Sequence, residues 1–381
     1  MKQSKGFFRA LVAGLCLSLC LPLAACGNSG EGNDPGPKGG TLEIVAPKGE
    51  VVSYASNAAR YLAAENPSVS DYFMPELLDS AVPVVISWNC DVPGVTGYEV
   101  EYATESDYSD AIKVTAEKDA TSVEVYNLYK GSEYYLRVTA LCGEQRTSRE
   151  STFTTTDLGP RVMQIDGVYN VRDLGGYNTP DGRIRQGLIY RGGALSPSND
   201  YSTVAILESG KTYMSQTLGI KLEMDLRSQG ENLNVPEGES VIPGATMKYF
   251  HVDGYSSAFN NATFRQSYKN VFSALAVREN YPIYMHCTGG ADRTGTVSFL
   301  LNALLGVDES DLIHDYEFTS FSFYGVRDSK TGFYADYFIP FRNTLETFEG
   351  ETLSEKTASY LLSIGVTQDE IDSIRSILIE K

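Results

Sequence analysis

Residues 283–295 decide the fold of the C-terminal half of the chain, and they read Ile-Tyr-Met-His-Cys-Thr-Gly-Gly-Ala-Asp-Arg-Thr-Gly. The short apolar run that ends at His286 predicts a buried strand. A turn with two glycines follows, and residues 293–305 then predict an amphipathic helix, because Val297 and several leucines recur on one face. A strand, a tight loop and a helix N-terminus in direct succession can turn backbone N–H groups around a tetrahedral anion.

Cys287 and Arg293 lie at the two ends of this loop, with five residues between them. Converging amides, the helix dipole and Arg293 favour a nucleophilic thiolate at Cys287. The planar fork of Arg293 suits two phosphate oxygens. We expect His286 to orient the loop rather than act as a base, and Thr294 to hydrogen-bond the sulfur. The remaining phosphate-binding positions are Thr288, Gly289, Gly290, Ala291 and Gly295. The alternative is a buried structural cysteine or a different anion-binding loop.

Further stretches occur in a fixed order around this loop. They are Asn170-Val-Arg-Asp-Leu-Gly-Gly176, Ile189-Tyr-Arg-Gly192, Asp225-Leu-Arg227 with Glu231, His286–Gly295, and Leu305-Gly-Val307 followed by Asp315-Tyr316. Together they resemble the bacterial tyrosine/serine phosphatase branch of the protein-tyrosine-phosphatase superfamily, over residues 157–381. The resemblance implies an α/β domain with a central sheet flanked by helices. It also implies phosphoryl transfer to Cys287 and hydrolysis of the phosphocysteine, without a metal or any other cofactor.

One position departs from the branch pattern. Ala291 stands where the branch usually carries a lysine. The missing positive charge implies weaker binding of multiply phosphorylated ligands, phosphoinositides included.

The general acid that protonates the leaving oxygen has two equal candidates. Asp292 lies in the loop and matches the branch motif, whereas Asp253 follows a predicted strand and precedes Cys287 by 34 residues. Asp225 ranks behind both, as an orienting carboxylate that would pair with Arg227 or Arg172.

Residues 81–156 show short strands with two-residue alternation and turn residues between them. The types and spacing of Trp88, Tyr98, Leu128 and Tyr134 resemble a fibronectin type III module, with another Ig-like sandwich as the alternative. The whole chain is therefore predicted to be multidomain, a β-sandwich followed by the α/β domain.

The resemblance to an Ig-type sandwich also bears on two cysteines. Cys90 shares strand parity with Trp88, and Cys142 shares it with Leu136, so both should face the core from opposite sheets. We predict a Cys90–Cys142 disulfide, which would leave Cys287 as the free thiol.

The N-terminus predicts export. Residues 1–25 have the basic and apolar regions of a signal peptide, and Leu23-Ala-Ala-Cys26 resembles a bacterial lipobox, with an ordinary signal peptide as the alternative. Cys26 would carry lipid, including palmitate, and residues 26–40 would be a flexible tether. Residues 41–80 are left unassigned, apart from a short strand at 41–46 and one or two helical turns at 55–64. The expected location is the bacterial cell envelope, outside the cytoplasm.

The formal net charge of −18 argues against nucleic-acid binding, and three histidines are too few for a metallophosphatase. The expected partners are a phosphorylated protein or small phosphomonoester, and a membrane through the lipid. The sandwich would be a spacer or bind a surface ligand. The alternative function is a surface binding or adhesion lipoprotein with a catalytically inactive phosphatase fold.

Overall fold

The structure is a computed structural model that describes residues 40–75, 81–196, 205–231 and 236–381. The predicted signal peptide, lipidated Cys26 and all of the tether except Gly40 lie outside the described residues. Residues 39–381 form one compact unit. Within the described ranges, no helix combines the length and the apolar composition that crossing a bilayer requires.

Two sheets pack face to face in the N-terminal half. One has the strand order β1-β3-β6 and the other β2-β8-β7-β4-β5. The strands are β1 (Leu42–Ala46), β2 (Gly49–Val51), β3 (Val84–Cys90), β4 (Gly97–Ala103), β5 (Ile112–Glu117), β6 (Ser122–Val125), β7 (Glu133–Cys142) and β8 (Gln145–Thr155). This confirms the predicted β-sandwich.

Alternating residues of both sheets form the sandwich core. Trp88 on β3 is 1% exposed, and its ring lies 4.9 Å from that of Tyr98 on β4. The Tyr134 hydroxyl accepts a hydrogen bond of 2.8 Å from the backbone N–H of Tyr129. This bond ties the start of β7 to the loop before it, as the tyrosine corner of Ig-like sandwiches does.

The predicted Cys90–Cys142 disulfide is wrong, because both residues are free thiols in the structure. Each cysteine is the last residue of its strand and is only partly buried. Burial raises the pKa of the Tyr98 hydroxyl, and the neighbouring Cys90 and Cys142 thiols raise it further. Strand parity gives the face on which a side chain lies, but it does not give the distance between two strand ends.

The C-terminal half is an α/β domain built on a mixed sheet with the order β15-β14-β16-β13-β10-β9. β13 to β16 run parallel to their neighbours in this group, whereas β10 is antiparallel to β13 and β9. The strands are β9 (Arg161–Val162), β10 (Arg172–Asp173), β13 (Ile189–Gly192), β14 (Leu222–Asp225), β15 (Thr246–Tyr249) and β16 (Ile283–His286). A small second sheet contains β11 (Asn178–Thr179), β12 (Gly182–Ile184) and β17 (Ile379–Glu380).

The α-helices lie mostly in this C-terminal domain. They are α1 (Ser56–Leu62), α2 (Glu208–Thr212), α3 (Ser257–Asn260), α4 (Ala262–Leu275), α5 (Asp292–Leu304), α6 (Glu309–Glu317), α7 (Gly332–Leu345), α8 (Leu353–Ser363) and α9 (Gln368–Leu378). Thr367 and Glu370 form a capping box at the start of α9.

The central strand β16 and helix α5 occupy the positions that the sequence predicts. All four residues of β16 are buried between β13 and β14. The expected amphipathic character of α5 is wrong, because every residue from Thr294 to Leu304 is buried. The helix lies between the sheet and the helices α6 and α8, so it has no solvent face.

The 41–80 segment, left unassigned from the sequence, contributes to both halves. β1 and β2 confirm the short strand near 41–46 and add a second, and both join the sandwich. Helix α1 confirms the helical turns near 55–64. It packs with Phe318 and Phe321 of the C-terminal domain.

Arg161 joins the sandwich to the α/β domain. Its guanidinium donates to the backbone carbonyls of Leu128 (3.0 Å) and Asn127 (2.6 Å) in the loop before β7. It also donates to the Asp173 carboxylate at 2.7 Å. All three contacts are made in a buried or partly buried setting, so they fix the sandwich loop against β9 and β10.

Candidate active site

The loop from β16 to α5 surrounds the predicted nucleophile. Cys287 follows the last residue of β16 and is 3% exposed. Gly290 has a φ of +65°, and a Cβ there would lie 2.1 Å from the carbonyl oxygen of Gly192. A Cβ at Gly289 would lie 2.9 Å from the Tyr324 ring. Both positions therefore require glycine, one for its backbone angle and both for space.

Asn170 and Arg191 hold the loop from outside. The Asn170 side-chain amide donates to the Gly289 carbonyl at 3.0 Å, and Arg191 Nη2 donates to the Gly290 carbonyl at 2.6 Å. Because the C=O and the N–H of a trans peptide point in opposite directions, carbonyls held outside leave the adjoining N–H groups facing inward. The loop is thus arranged to bind an anion without a further change in its backbone.

A buried ion cluster supports these two residues. Asp315 on α6 accepts hydrogen bonds from Arg172 Nε at 3.0 Å and from Arg191 Nη1. Burial alone would raise the pKa of Asp315, but the two guanidinium groups outweigh it and lower that pKa. The sequence motifs that contain these residues therefore act as the scaffold of the loop.

The Cys287 thiol is favoured as the thiolate. Burial raises its pKa, but the Arg293 charge and the side-chain hydroxyl and backbone N–H of Thr294 outweigh burial, so the net pKa is lowered. Thr294 itself is fully buried in the first turn of α5. A thiolate in this position needs no general base to attack.

Arg293 is oriented before any substrate binds. Its Nη1 donates to both carboxylate oxygens of Glu231, at 3.1 and 2.8 Å, and its Nη2 donates to the Thr288 hydroxyl at 3.1 Å. Glu231 is in turn held by the backbone N–H and hydroxyl of Ser228. In the sequence, Glu231 belongs with the motif Asp225-Leu-Arg227, but the pattern predicts no role for it. The residues around Glu231 in sequence give no sign that it pairs with Arg293.

His286 is fully buried below the loop. Its Nδ1 lies 3.1 Å from the Cys287 carbonyl and its Nε2 lies 2.9 Å from the Glu223 carboxylate. Burial would lower the pKa of His286, but the charge of Asp225 and the hydrogen bond to Glu223 outweigh it and raise that pKa. These contacts are consistent with the predicted orienting role, since both ring nitrogens are engaged.

The three candidate carboxylates lie in different surroundings. Asp225 is fully buried and accepts three hydrogen bonds from the Arg227 side chain, at 2.8 to 3.1 Å. Asp292 accepts from Arg327 Nε at 2.9 Å and from the Tyr255 hydroxyl at 2.6 Å. Both are therefore engaged with arginine.

Asp253 is exposed, in contrast to Asp225. Its carboxylate accepts from the Gly254 N–H at 2.8 Å and from the Ser257 hydroxyl at 2.9 Å. Among the residues that the structure describes, no cation lies within salt-bridge distance of it. A Cβ added to Gly254 would lie 3.3 Å from the Asp292 carbonyl carbon, which places the 253–254 turn directly against the phosphate loop.

A cleft of about 320 Å³ opens beside the loop. Its walls come from the 253–257 turn, from Asp292 and from the start of α7; they comprise Asp253, Gly254, Tyr255, Ser257, Asp292, Phe333, Tyr334 and Tyr337. Phe333 is 66% exposed and Tyr337 is 47% exposed. The α7 aromatics and Arg327 were missed from the sequence, because they lie more than 30 residues from the loop motif.

In the described part of the chain, no three His, Cys, Asp or Glu side chains are grouped so that they could hold a metal ion.

The family described as the tyrosine phosphatase family matches residues 163–380, more than half of the chain. The chain belongs to the tyrosine phosphatase family. A fibronectin type III domain matches residues 79–156, directly before it. Both the loop and its supporting residues Asn170, Arg191 and Glu231 lie within the tyrosine phosphatase match.

Two relatives share this family. A Cupriavidus necator protein whose name places it among the tyrosine-protein phosphatases is 28% identical over 189 residues, which is 42% of this chain and 63% of that protein. A tyrosine-protein phosphatase of Nostoc commune is 27% identical over 117 residues, 26% of this chain and 40% of that protein. The chain thus spans less than two thirds of the length of either relative.

Among solved structures, the core catalytic domain of the PP-IP phosphatase SIW14 from S. cerevisiae, in complex with citrate, is 15% identical. The match covers 38% of this chain and 78% of that domain, with a TM-score of 0.27.

Proposed function

We propose that the chain is a cysteine-dependent phosphatase that hydrolyses phosphomonoesters, phosphotyrosine first and phosphoserine or phosphothreonine less well. The observation that carries the proposal is the thiol of Cys287, whose pKa is lowered although it is buried, one loop away from an Arg293 already held by Glu231. Nucleophile and anion clamp are thus both in place.

The proposed reaction has two steps. The Cys287 thiolate forms an S–P bond as the P–O ester bond breaks, and the leaving oxygen takes a proton from a carboxylic acid. A water molecule then forms a new P–O bond to phosphorus and gives its proton to the same carboxylate. The S–P bond breaks, and its electron pair returns to Cys287, which releases phosphate. Arg293 and the inward N–H groups stabilise the charge on phosphorus in both steps.

Asp253 is the general acid in this proposal. The general acid must be able to hydrogen-bond the leaving oxygen, but both carboxylate oxygens of Asp292 are already engaged by the Arg327 guanidinium and the Tyr255 hydroxyl. Asp253 has only neutral hydrogen-bond donors and lies on the cleft wall beside the loop. Its exposure allows it to exchange its proton with solvent between turnovers.

The cleft supports an aromatic monophosphate as substrate. The Phe333 and Tyr337 rings are 5.1 Å apart and exposed, so they offer apolar faces to a phosphorylated ring. Two carboxylates line the cleft, whereas no lysine or arginine of the described residues does. With Ala291 in place of the usual lysine, a second phosphate on the ligand meets no compensating charge.

Export and a lipid anchor at Cys26 belong to the same proposal. They are supported by the basic residues at positions 2, 5 and 9, by the apolar run up to residue 25 and by the lipobox-like residues 23–26. Incorporation of labelled palmitate by wild type, with none in Cys26→Ser, is the expected result. Equal labelling of wild type and Cys26→Ser would show that Cys26 does not carry the lipid.

Hydrolysis of p-nitrophenyl phosphate, phosphopeptides and inositol polyphosphates by the full chain tests the activity. We expect vanadate-sensitive turnover of aryl phosphates, lost in Cys287→Ser. If turnover is equal in Cys287→Ser and wild type, or absent in both, the alternative function is favoured. The chain would then be a surface binding lipoprotein with a catalytically inactive phosphatase fold.

A further inference from the structure

A ten-residue stretch beside the active site lacks helix and strand. Residues 322–331 connect the short 3-10 turn Phe318–Phe321 to helix α7. We call residues 317–331 the bridging segment. Because residues 322–331 form no helix or strand, their position depends on side-chain contacts with neighbouring parts of the chain.

The bridging segment supplies two contacts to the phosphate loop. Arg327 donates to Asp292 from Nε at 2.9 Å and from Nη2 at 3.2 Å. The Tyr324 ring lies against Gly289, as the 2.9 Å separation from a Cβ at that glycine indicates. A shift of this segment would therefore move groups that touch the loop at two positions, Gly289 and Asp292.

The segment also sets the start of the cleft wall. Asp328 Oδ1 accepts from the backbone N–H groups of Lys330 (2.8 Å) and Thr331 (2.9 Å), which forms the turn before α7. Phe333 is the second residue of that helix. The orientation of the exposed aromatic pair thus follows from the placement of Asp328.

Residues 54–72, which we call the N-terminal brace, hold this segment from outside the catalytic domain. Ser68 and Ser70 donate their hydroxyls to Asp328 Oδ2, at 2.5 and 3.0 Å. The Tyr61 hydroxyl donates to the Glu317 carboxylate. Glu317 in turn accepts from the N–H (2.8 Å) and the hydroxyl (2.6 Å) of Ser329.

Apolar packing joins the same two parts. The shared cluster contains Tyr54, Ala58, Tyr61, Leu62 and Val69 from the brace, Phe318 and Phe321 from the bridging segment, and Val162. Ala58 and Val69 have no exposed surface. The Asp328 and Glu317 carboxylates that receive the hydroxyl contacts are almost fully buried, so loss of a hydrogen-bond partner is costly there.

We infer that the N-terminal brace is a positioning element of the active site: Ser68 and Ser70 act through Asp328, and Tyr61 acts through Glu317, on the loop contacts of Arg327 and Tyr324. The brace lies between β2 and β3 in the chain, so sandwich strands β3 to β8 separate it in sequence from the loop that it positions. The inference rests on the proposed phosphatase activity.

The test compares full-length wild type with the double variant Ser68→Ala/Ser70→Ala. Because the loop binds the phosphate, we expect the vanadate inhibition constant and the KM for p-nitrophenyl phosphate to rise about fivefold, as for loss of one net hydrogen bond. Thr104→Ala is the matched control, since it removes a hydroxyl bond of 2.5 Å to Asp110 within the sandwich. The control should leave both constants unchanged.

Tyr61→Phe provides an independent variant that keeps the packed ring. It should raise the same two constants even if the double variant does not fold. The inference would be overturned if Tyr61→Phe and the folded double variant both kept the wild-type vanadate inhibition constant and the wild-type KM. This holds even if their melting temperatures change. Absence of vanadate-sensitive turnover in wild type would instead overturn the proposed function.

Discussion

Arg293 and Glu231 form a fork in which one guanidinium nitrogen reaches both oxygens of one carboxylate, at 3.1 and 2.8 Å. The pair joins the first turn of α5 to a residue 62 positions earlier. It fixes the arginine side chain that the transferred phosphoryl group must meet, and it therefore removes an ordering cost from binding.

Glu231→Gln should lower kcat/KM for p-nitrophenyl phosphate about tenfold, because the neutral amide holds Arg293 less firmly than a charge-assisted pair does. Steady-state kinetics at constant ionic strength would measure it. Glu208→Gln is the control, since Glu208 pairs with Lys211 on the exposed α2. Equal kcat/KM values in wild type and Glu231→Gln would show that Arg293 orders itself on the substrate.

Asp253→Asn and Asp292→Asn separate the two acid candidates. Loss of the true acid should slow hydrolysis of a phenyl phosphate, whose leaving group is poor, about a hundredfold or more, and slow that of an activated nitrophenyl ester far less. We expect this pattern in Asp253→Asn. Asp292→Asn should reduce both rates by a similar factor, because it removes the Arg327 pair. The reverse pattern would assign the acid to Asp292.

The pH profile reports the Cys287 thiol. Only the thiolate attacks, so kcat/KM should rise with pH through the lowered pKa of Cys287 and reach its plateau below the usual range of a free thiol. Thr294→Val removes a hydroxyl that favours the thiolate and should move this acidic limb to higher pH. Thr357→Val is a suitable control, since Thr357 is a buried threonine that bonds the Leu353 carbonyl within α8. An acidic limb in Thr294→Val that coincides with that of wild type would contradict the assignment.

Glu223 should contribute to stability in a pH-dependent way through His286. The pKa of His286 is raised in the folded protein, so its contribution is complete below the unfolded value of about 6.5 and fades as pH rises through the folded pKa. Glu223→Gln should therefore cost about 2 kcal/mol at pH 6 and less at alkaline pH. Urea unfolding at both pH values measures the difference. A loss that is constant across this range would mean that His286 is not charged in the fold.

The loop and its strand and helix could be predicted because their signals are local. Cys287, Gly290 and Arg293 lie within seven consecutive residues, where chain connectivity fixes which groups can meet. The orienting partners could not be predicted in the same way. Arg327 and Glu231 reach the loop from segments that are far away in sequence, and only the packed sheet brings them there.

The sequence interpretation of the N-terminal half was least informative at two points. Residues 41–80 have no strong periodic pattern, since β2 has three residues and α1 has seven, and short elements gain their stability from tertiary packing. The disulfide prediction rests on strand parity, which gives the face on which a side chain lies but not whether two sulfurs bond, and the structure has free thiols at Cys90 and Cys142.

Arg161 lies near the boundary between the two family matches, and its contacts should couple the stability of the two domains. It bonds two sandwich carbonyls and Asp173 with one buried guanidinium, so separating the halves would leave both carbonyls and part of the guanidinium without their hydrogen-bond partners. The sandwich and the phosphatase domain should therefore melt together, as one cooperative unit with a single calorimetric peak. A fragment that begins at residue 163 would carry the family signature but would lack Arg161, the buried guanidinium partner of Asp173.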